Sequence, residues 1–256
     1  MAALANLMSH NESVWTVTTV RSAIVAAVAL ALVRIRGTPL RFTNHPLLLS
    51  RALAGWIAMA AYFWSLPYLP LGDAITLQYT SPLFVALLAG RALGERIVAP
   101  VAGALLLGFV GVVLVARPDG AISFASVSAL ASGFFAAIAY LAVRSLRDFD
   151  HPDAIVVHFS VVATLLSAPL AILSGIPPKP EDALPLVGVG LTAAIGQLAL
   201  TRAYALGDAA VVAGVSYVAV PIGAVLGFFV FSETPGPRTL FGAALIIASG
   251  LILVRR

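Results

Sequence analysis

Residues 97–116 read IVAPVAGALLLGFVGVVLVA. The run carries no charged or hydrogen-bonding side chain, and its reading decides the fold. It does not alternate between polar and apolar residues, as a strand of a membrane barrel does. Its backbone N–H and C=O groups must therefore pair within the segment itself, which in lipid only a helix achieves. About 20 such residues cross the roughly 30 Å of hydrocarbon. Eight further segments qualify: 14–33, 47–66, 74–91, 124–143, 154–173, 184–206, 209–231 and 239–254. Turn chemistry separates them, as at Arg36-Gly37-Thr38-Pro39 and Thr234-Pro235-Gly236-Pro237. The expected fold is an all-α, polytopic membrane helical bundle with nine spans.

Composition agrees. The 256 residues are 61% hydrophobic and 10% charged, against roughly 45–50% and 25% in a soluble domain. Mean hydropathy is +1.02. A soluble enzyme and a disordered chain are both excluded on these grounds. The net charge is +4, but the basic residues do not form a stripe with interleaved aromatics, so nucleic acid is not an expected partner. With no cysteine, no disulfide framework or thiolate metal site exists. The N-terminus lacks the basic start, apolar run and small-residue cleavage site of a signal peptide.

Lys and Arg sort by side. Arg34, Arg36, Arg41, Arg51, Arg91, Arg96, Arg144, Arg147, Arg255 and Arg256 fall on one side, with Arg202 near it. Arg117, Lys179 and Arg238 fall on the other. The basic side is cytoplasmic by the positive-inside rule. The expectation is a multi-pass protein of the plasma (inner) membrane with a cytoplasmic C-terminus.

The halves 1–118 and 121–256 resemble each other. Leu71-Gly72-Asp73-Ala74 recurs as Leu206-Gly207-Asp208-Ala209. Pro82, Gly103, Ala104, Leu106 and Gly111 match Pro221, Gly242, Ala243, Leu245 and Gly250 at one constant offset. The second copy holds about one extra helical turn between these two blocks. Matching spans enter the membrane from opposite sides, which makes two inverted-topology repeats. Secondary transporters are built this way, with the substrate site at the repeat interface near the bilayer midplane. The first half holds four spans and the second five. The stub Ala2-Ala3-Leu4-Ala5-Asn6-Leu7-Met8 takes the place of a fifth, as a truncated first helix.

The stretch Tyr68-Leu69-Pro70-Leu71-Gly72-Asp73-Ala74, then Tyr79-Thr80-Ser81-Pro82-Leu83 and Leu93-Gly94-Glu95-Arg96, resembles the EamA-type drug/metabolite transporter superfamily. So does Thr201-Arg202-Ala203-Tyr204 followed by Pro221 and Phe231-Ser232-Glu233. The resemblance implies ten helices in two inverted five-helix repeats, cytoplasmic termini and a central cavity. It implies amino acids, nucleoside-like compounds, vitamins or drugs as cargo.

Pro82 and Pro221 sit near mid-span. Proline removes one helical hydrogen bond and clashes with the carbonyl four residues back. Those carbonyls belong to Gln78 and Tyr217, beside the polar residues Tyr79 and Ser216. A helix-kink in each repeat thus offers a freed carbonyl and polar side chains to a substrate. Gln197, Thr201 and Tyr204 share one helix face at spacing i, i+4, i+7. Tyr62 and Tyr140 are candidates to stack on cargo. Arg21 is a charge well inside a span, either an anchor or a group facing a carboxylate or phosphate. Arg51 and Arg202 lie near the cytoplasmic end, where snorkelling is expected. His158 is the natural proton carrier, if transport is proton-coupled. Asp73, Asp208 and Glu95 read as helix N-caps. Gly223 and Gly227 form a GxxxG pair, fit for internal packing or a homodimer face. Neither H-E-x-x-H nor G-x-S-x-G occurs. No enzyme activity, cofactor or metal is therefore expected. The expected partners are a small-molecule metabolite and the lipid bilayer. A non-transporting scaffold or truncated inactive carrier is the rival.

Overall fold

The structure is a computed structural model that describes residues 1–8, 12–92, 99–116, 123–175, 179–207, 212, 215–217 and 219–254. The described elements are helical. They are α1 (Ala2–Met8), α2 (Val14–Arg36), α3 (His45–Ser65), α4 (Leu71–Gln78), α5 (Ser81–Ala92), α6 (Ala99–Ala116), α7 (Phe124–Leu146), α8 (Pro152–Leu173), α9 (Ala183–Leu206), α10 (Ala219–Phe231) and α11 (Pro237–Val254). Six stretches among the described residues are long and apolar enough to cross a membrane: Val14–Arg36, His45–Tyr68, Leu71–Leu88, Phe124–Leu146, Pro152–Leu173 and Pro180–Leu206. Leu106–Val115, Ile222–Phe231 and Pro237–Ile252 are shorter apolar helices. The expected spans 97–116 and 209–231 fall partly outside the described residues.

Local chemistry sets the helix ends. Ser13 Oγ accepts the Trp15 N–H at 3.1 Å to start α2, and Ser123 Oγ does the same for Ala125 in α7. α2 stops at Gly37, whose φ of +64° lets its N–H turn back to the Arg34 carbonyl. Asp73 is not the N-cap expected of it. It lies in the first turn of α4, and the residue before that helix is Pro70, which has no side chain to cap with. Glu233, brought in from the other half of the chain, accepts the Leu71 N–H instead. Asp208 and Glu95 lie outside the described residues.

The expected span 74–91 begins earlier, at Leu71, and is broken rather than kinked. Pro82 has no N–H for the Gln78 carbonyl, and the chain answers with a turn at Tyr79 and Thr80. The Thr80 hydroxyl and N–H both donate to the Leu77 carbonyl, at 2.7 and 3.2 Å. Pro82 then takes the second position of α5, where a missing N–H costs little. Pro221 holds the third position of α10, and its side chain lies outside the described residues.

Helices from the two halves pack on each other: α2 on α8 and α9, α3 on α7 and α8, α4 on α10, and α6 on α11. Glycines set the closest approaches. A Cβ on Gly111 would lie 2.6 Å from the Gly242 carbonyl, and one on Gly242 would lie 2.7 Å from the Gly111 carbonyl. Ser249 Oγ closes the same seam with a 2.6 Å bond to the Ala104 carbonyl. Gly223 faces Ile75 of α4, and Gly227 faces the Glu233 side chain, so this pair serves the interior.

Gly111→Ala and Gly242→Ala are therefore each expected to destabilise the protein by about 1–3 kcal/mol through overpacking. Gly103→Ala, at a position with nothing within 4 Å, is the neutral control. Thermal unfolding in detergent checks the contrast.

Candidate functional site

The break between α4 and α5 faces inward. Thr80 and Ser81 are buried. A Cβ on Gly133 of α7 would lie 2.8 Å from both the Gln78 carbonyl and Thr80 Oγ1. The bare Gly133 backbone thus makes room for the unwound turn.

Polar side chains converge around this turn. Tyr79 caps the end of α4, half-buried. Tyr62, Tyr140 and Tyr204 lie within electrostatic reach of it. Tyr217 lies within reach of Tyr204. Tyr140 and Tyr204 stack, with centroids 4.6 Å apart and planes 13° off parallel. Five of the six tyrosines therefore share one region, drawn from both halves of the chain. The hydroxyls of Tyr62 and Tyr217 are buried without a partner. The Tyr217 ring lies against Gly250, where a Cβ would collide with it. Its carbonyl accepts the Val220 N–H at 3.0 Å, so it is not freed as expected. Ser216 beside it is half-buried.

Gln197, Thr201 and Tyr204 of α9 all face inward. Gln197 Nε2 donates to Thr201 Oγ1 at 3.1 Å. The Gln197 Oε1 accepts from Arg21 Nη2 at 3.4 Å. Arg21 is therefore drawn into the bundle rather than toward the surface, at 6% exposure.

Arg51 departs from expectation. It does not snorkel. It is 3% exposed, and its guanidinium stands 4.2 Å from the Phe159 ring centroid. Gly55, one turn on, leaves the space it fills. The position of Arg51 near the end of α3 gave no sign of this, because the direction of the side chain depends on Gly55 and on α8. Arg202 is not free to snorkel either: it binds Asp153 through two nitrogens, at 2.7 and 3.0 Å. Arg36 adds a third arm to Asp153 at 3.2 Å. This cluster ties α2, α8 and α9 together at one end. His158 packs beside Phe42 with centroids 5.4 Å apart, and its Nδ1 is buried without a partner. Among the described residues no group of His, Asp and Glu has the arrangement of a metal site.

Residues 1–117 and 123–255 match the model of the EamA-like transporter family. The chain belongs to the EamA-like transporter family. It is 34% identical over 239 residues to the pseudopaline exporter CntI of Pseudomonas aeruginosa, covering 92% of this chain and 84% of that one. It is 30% identical to a riboflavin transporter of Vibrio cholerae serotype O1, covering 91% and 80%. A solved crystal structure shares the fold, with a TM-score of 0.76 at 22% identity over 98% of this chain and 90% of that one. This EamA-like protein is thus a multi-pass membrane transporter of a small metabolite.

At the opposite end of α4, Glu233 accepts the Leu71 N–H at 2.8 and 3.0 Å. It borders a small cavity with Asp73, Gly72 and Thr234. Burial pushes its carboxyl above the usual carboxylate range, Asp73 adds to the rise, and the Leu71 and Gly72 amides pull it back. A raised folded-state value means the folded chain keeps this proton to a higher pH than the unfolded chain does. The stability gained from Glu233 is thus fully present below its unfolded pKa and is lost as pH rises through the folded value. Glu233→Gln is expected to remove this component. The melting temperature of wild type minus that of the variant should fall as pH rises from about 4 to 7.

Asp153→Asn strips the counter-charge from Arg202 and Arg36. Because both arginines are partly exposed, the expected cost is about 1–3 kcal/mol, below that of a fully buried pair. Denaturation in detergent measures it.

Proposed function

We propose that this transporter is a secondary carrier of the inner membrane that moves a small polar organic metabolite, such as an amino acid, a vitamin or a drug, by alternating access. The observation that carries this reading is the inward-facing break at Tyr79 and Thr80, with Tyr62, Tyr140 and Tyr204, from both halves of the chain, within electrostatic reach of Tyr79. Discontinuous helices form the midplane site in many carriers, because unwound backbone there offers hydrogen bonds that an intact helix keeps for itself. Arg21, Tyr62, Gln78, Tyr79, His158, Gln197, Thr201, Tyr204, Ser216 and Tyr217 supply the polar lining in this reading, with Pro82 and Pro221 enforcing the breaks.

Nine spans in two inverted repeats, 1–118 and 121–256, fit the packing. Counted back from each repeat's end, α6 pairs with α11, the α4–α5 span with α10, α3 with α9, α2 with α8 and α1 with α7. Three of these matched pairs are in direct contact: α6 with α11, α4 with α10 and α2 with α8. The other two exchange partners, since α7 lies along α3 while α1 lies against α9. Such pairing supports a two-fold relation between the halves, and an inverted repeat has one. The Lys/Arg asymmetry supports a cytoplasmic C-terminus.

Metabolite profiles of cells with and without the gene identify the cargo, and flux of that cargo in proteoliposomes tests transport. Absence of flux in reconstituted, folded protein would favour the scaffold reading instead. Tyr217→Phe and Gln78→Ala are each expected to lower flux about three- to tenfold, the worth of one hydrogen bond. Tyr217→Phe removes a buried hydroxyl that has no partner, so its melting temperature should not fall. Wild-type flux in both variants would remove these two residues from the site.

A further inference from the structure

We propose that Arg21 and Arg51, set around Phe159, bind an oxyanion of the cargo, a carboxylate or a phosphate group. The inference rests on the carrier reading above and narrows its substrate class. Both guanidiniums are more than nine-tenths buried. Nε and Nη1 of each have no partner. Among the described residues neither has a carboxylate partner: Asp153 is engaged by Arg202 and Arg36, and Asp150 accepts the Thr43 N–H at 2.8 Å.

Two like charges share one neighbourhood here. The Arg51 guanidinium is 4.2 Å and the Arg21 guanidinium 5.9 Å from the same Phe159 ring, and the two act on each other electrostatically. The ring face offers weak compensation to a cation. The Gln197 amide offers Arg21 one long hydrogen bond. A buried charge left unpaired is destabilising, so the fold holds this pair at a cost that a bound anion would offset. Guanidinium forks match carboxylate and phosphate oxygens in geometry as well as charge. Tyr140 lies within electrostatic reach of both arginines and stacks on Tyr204. The anion would therefore sit between the two arginines and the tyrosine group, with the rest of the cargo toward Tyr79.

The test uses the purified full chain in detergent. Thermal unfolding is followed with sodium succinate, sodium phosphate, sodium chloride at matched ionic strength, and neutral succinamide. Succinate or phosphate is expected to raise the melting temperature while chloride and succinamide do not, and the stronger of the two names the oxyanion. Arg51→Met and Arg21→Met are each expected to weaken that anion roughly ten- to a hundredfold. Arg51→Met without anion is expected to melt higher than wild type by about 2–4 °C, because an unpaired buried charge is gone. A packing arginine would give the opposite sign. Gly55→Ala keeps the charge but displaces the guanidinium from Phe159, and is expected to lose the anion response as well.

No stabilisation of wild type by either anion, or a shift that persists in both methionine variants, would overturn the site. The carrier reading fails separately. Anion-dependent stabilisation with no proteoliposome flux of the metabolite found by profiling leaves the site and removes the carrier. Flux unchanged in Arg21→Met and Arg51→Met leaves the carrier and removes the site.

Discussion

In hydrocarbon no water is present to satisfy a backbone group, so every N–H and C=O must find its partner inside the protein. The third long span depends on that constraint most. Pro82 denies the Gln78 carbonyl its helical partner, and an unwound turn there is tolerable only where it is shielded from lipid. Gly133 shields it, because its missing side chain lets α7 lie directly over the turn. The Thr80 hydroxyl takes up the Leu77 carbonyl. The turn fixes Tyr79 at the end of α4, within electrostatic reach of Tyr62, Tyr140 and Tyr204.

Charge is distributed with the same economy. At one end of the bundle Asp153 is shared by Arg202 and Arg36. At the end of α4 Glu233 occupies the positive pole of a helix dipole in place of a side-chain cap. Between these ends the described cations Arg21 and Arg51 stand without a counter-ion. Among the described residues the nearby carboxylates are engaged elsewhere, Asp153 by Arg202 and Arg36 and Asp150 by the Thr43 N–H.

Much of this was legible in the sequence because it is local. Apolar run length gives the helices, the turn at Arg36-Gly37-Thr38-Pro39 gives a helix end, and Tyr79, Gln197, Thr201 and Tyr204 stand out as polar residues inside apolar runs. The break was half-legible: Pro82 announced a defect, but whether the chain bends or unwinds depends on whether a neighbour leaves room. Gly133, a residue with no polar atom in its side chain, supplied that room and gave no signal of its own. Asp73 reads as the cap on α4, whereas the carboxylate that accepts the Leu71 N–H belongs to Glu233, which is remote in the chain.

The arginines mark the division most clearly. Sequence alone determined that Arg21, Arg51 and Arg202 lie within or at the edge of apolar runs, since that follows from counting along the chain. It determined the family in the same way, through blocks such as Leu71-Gly72-Asp73-Ala74. Only the tertiary structure decided that Arg202 meets Asp153 while Arg51 turns over Gly55 onto Phe159. Both long side chains reach far from their own backbone, and the direction each takes is set by which face of which helix is packed against it.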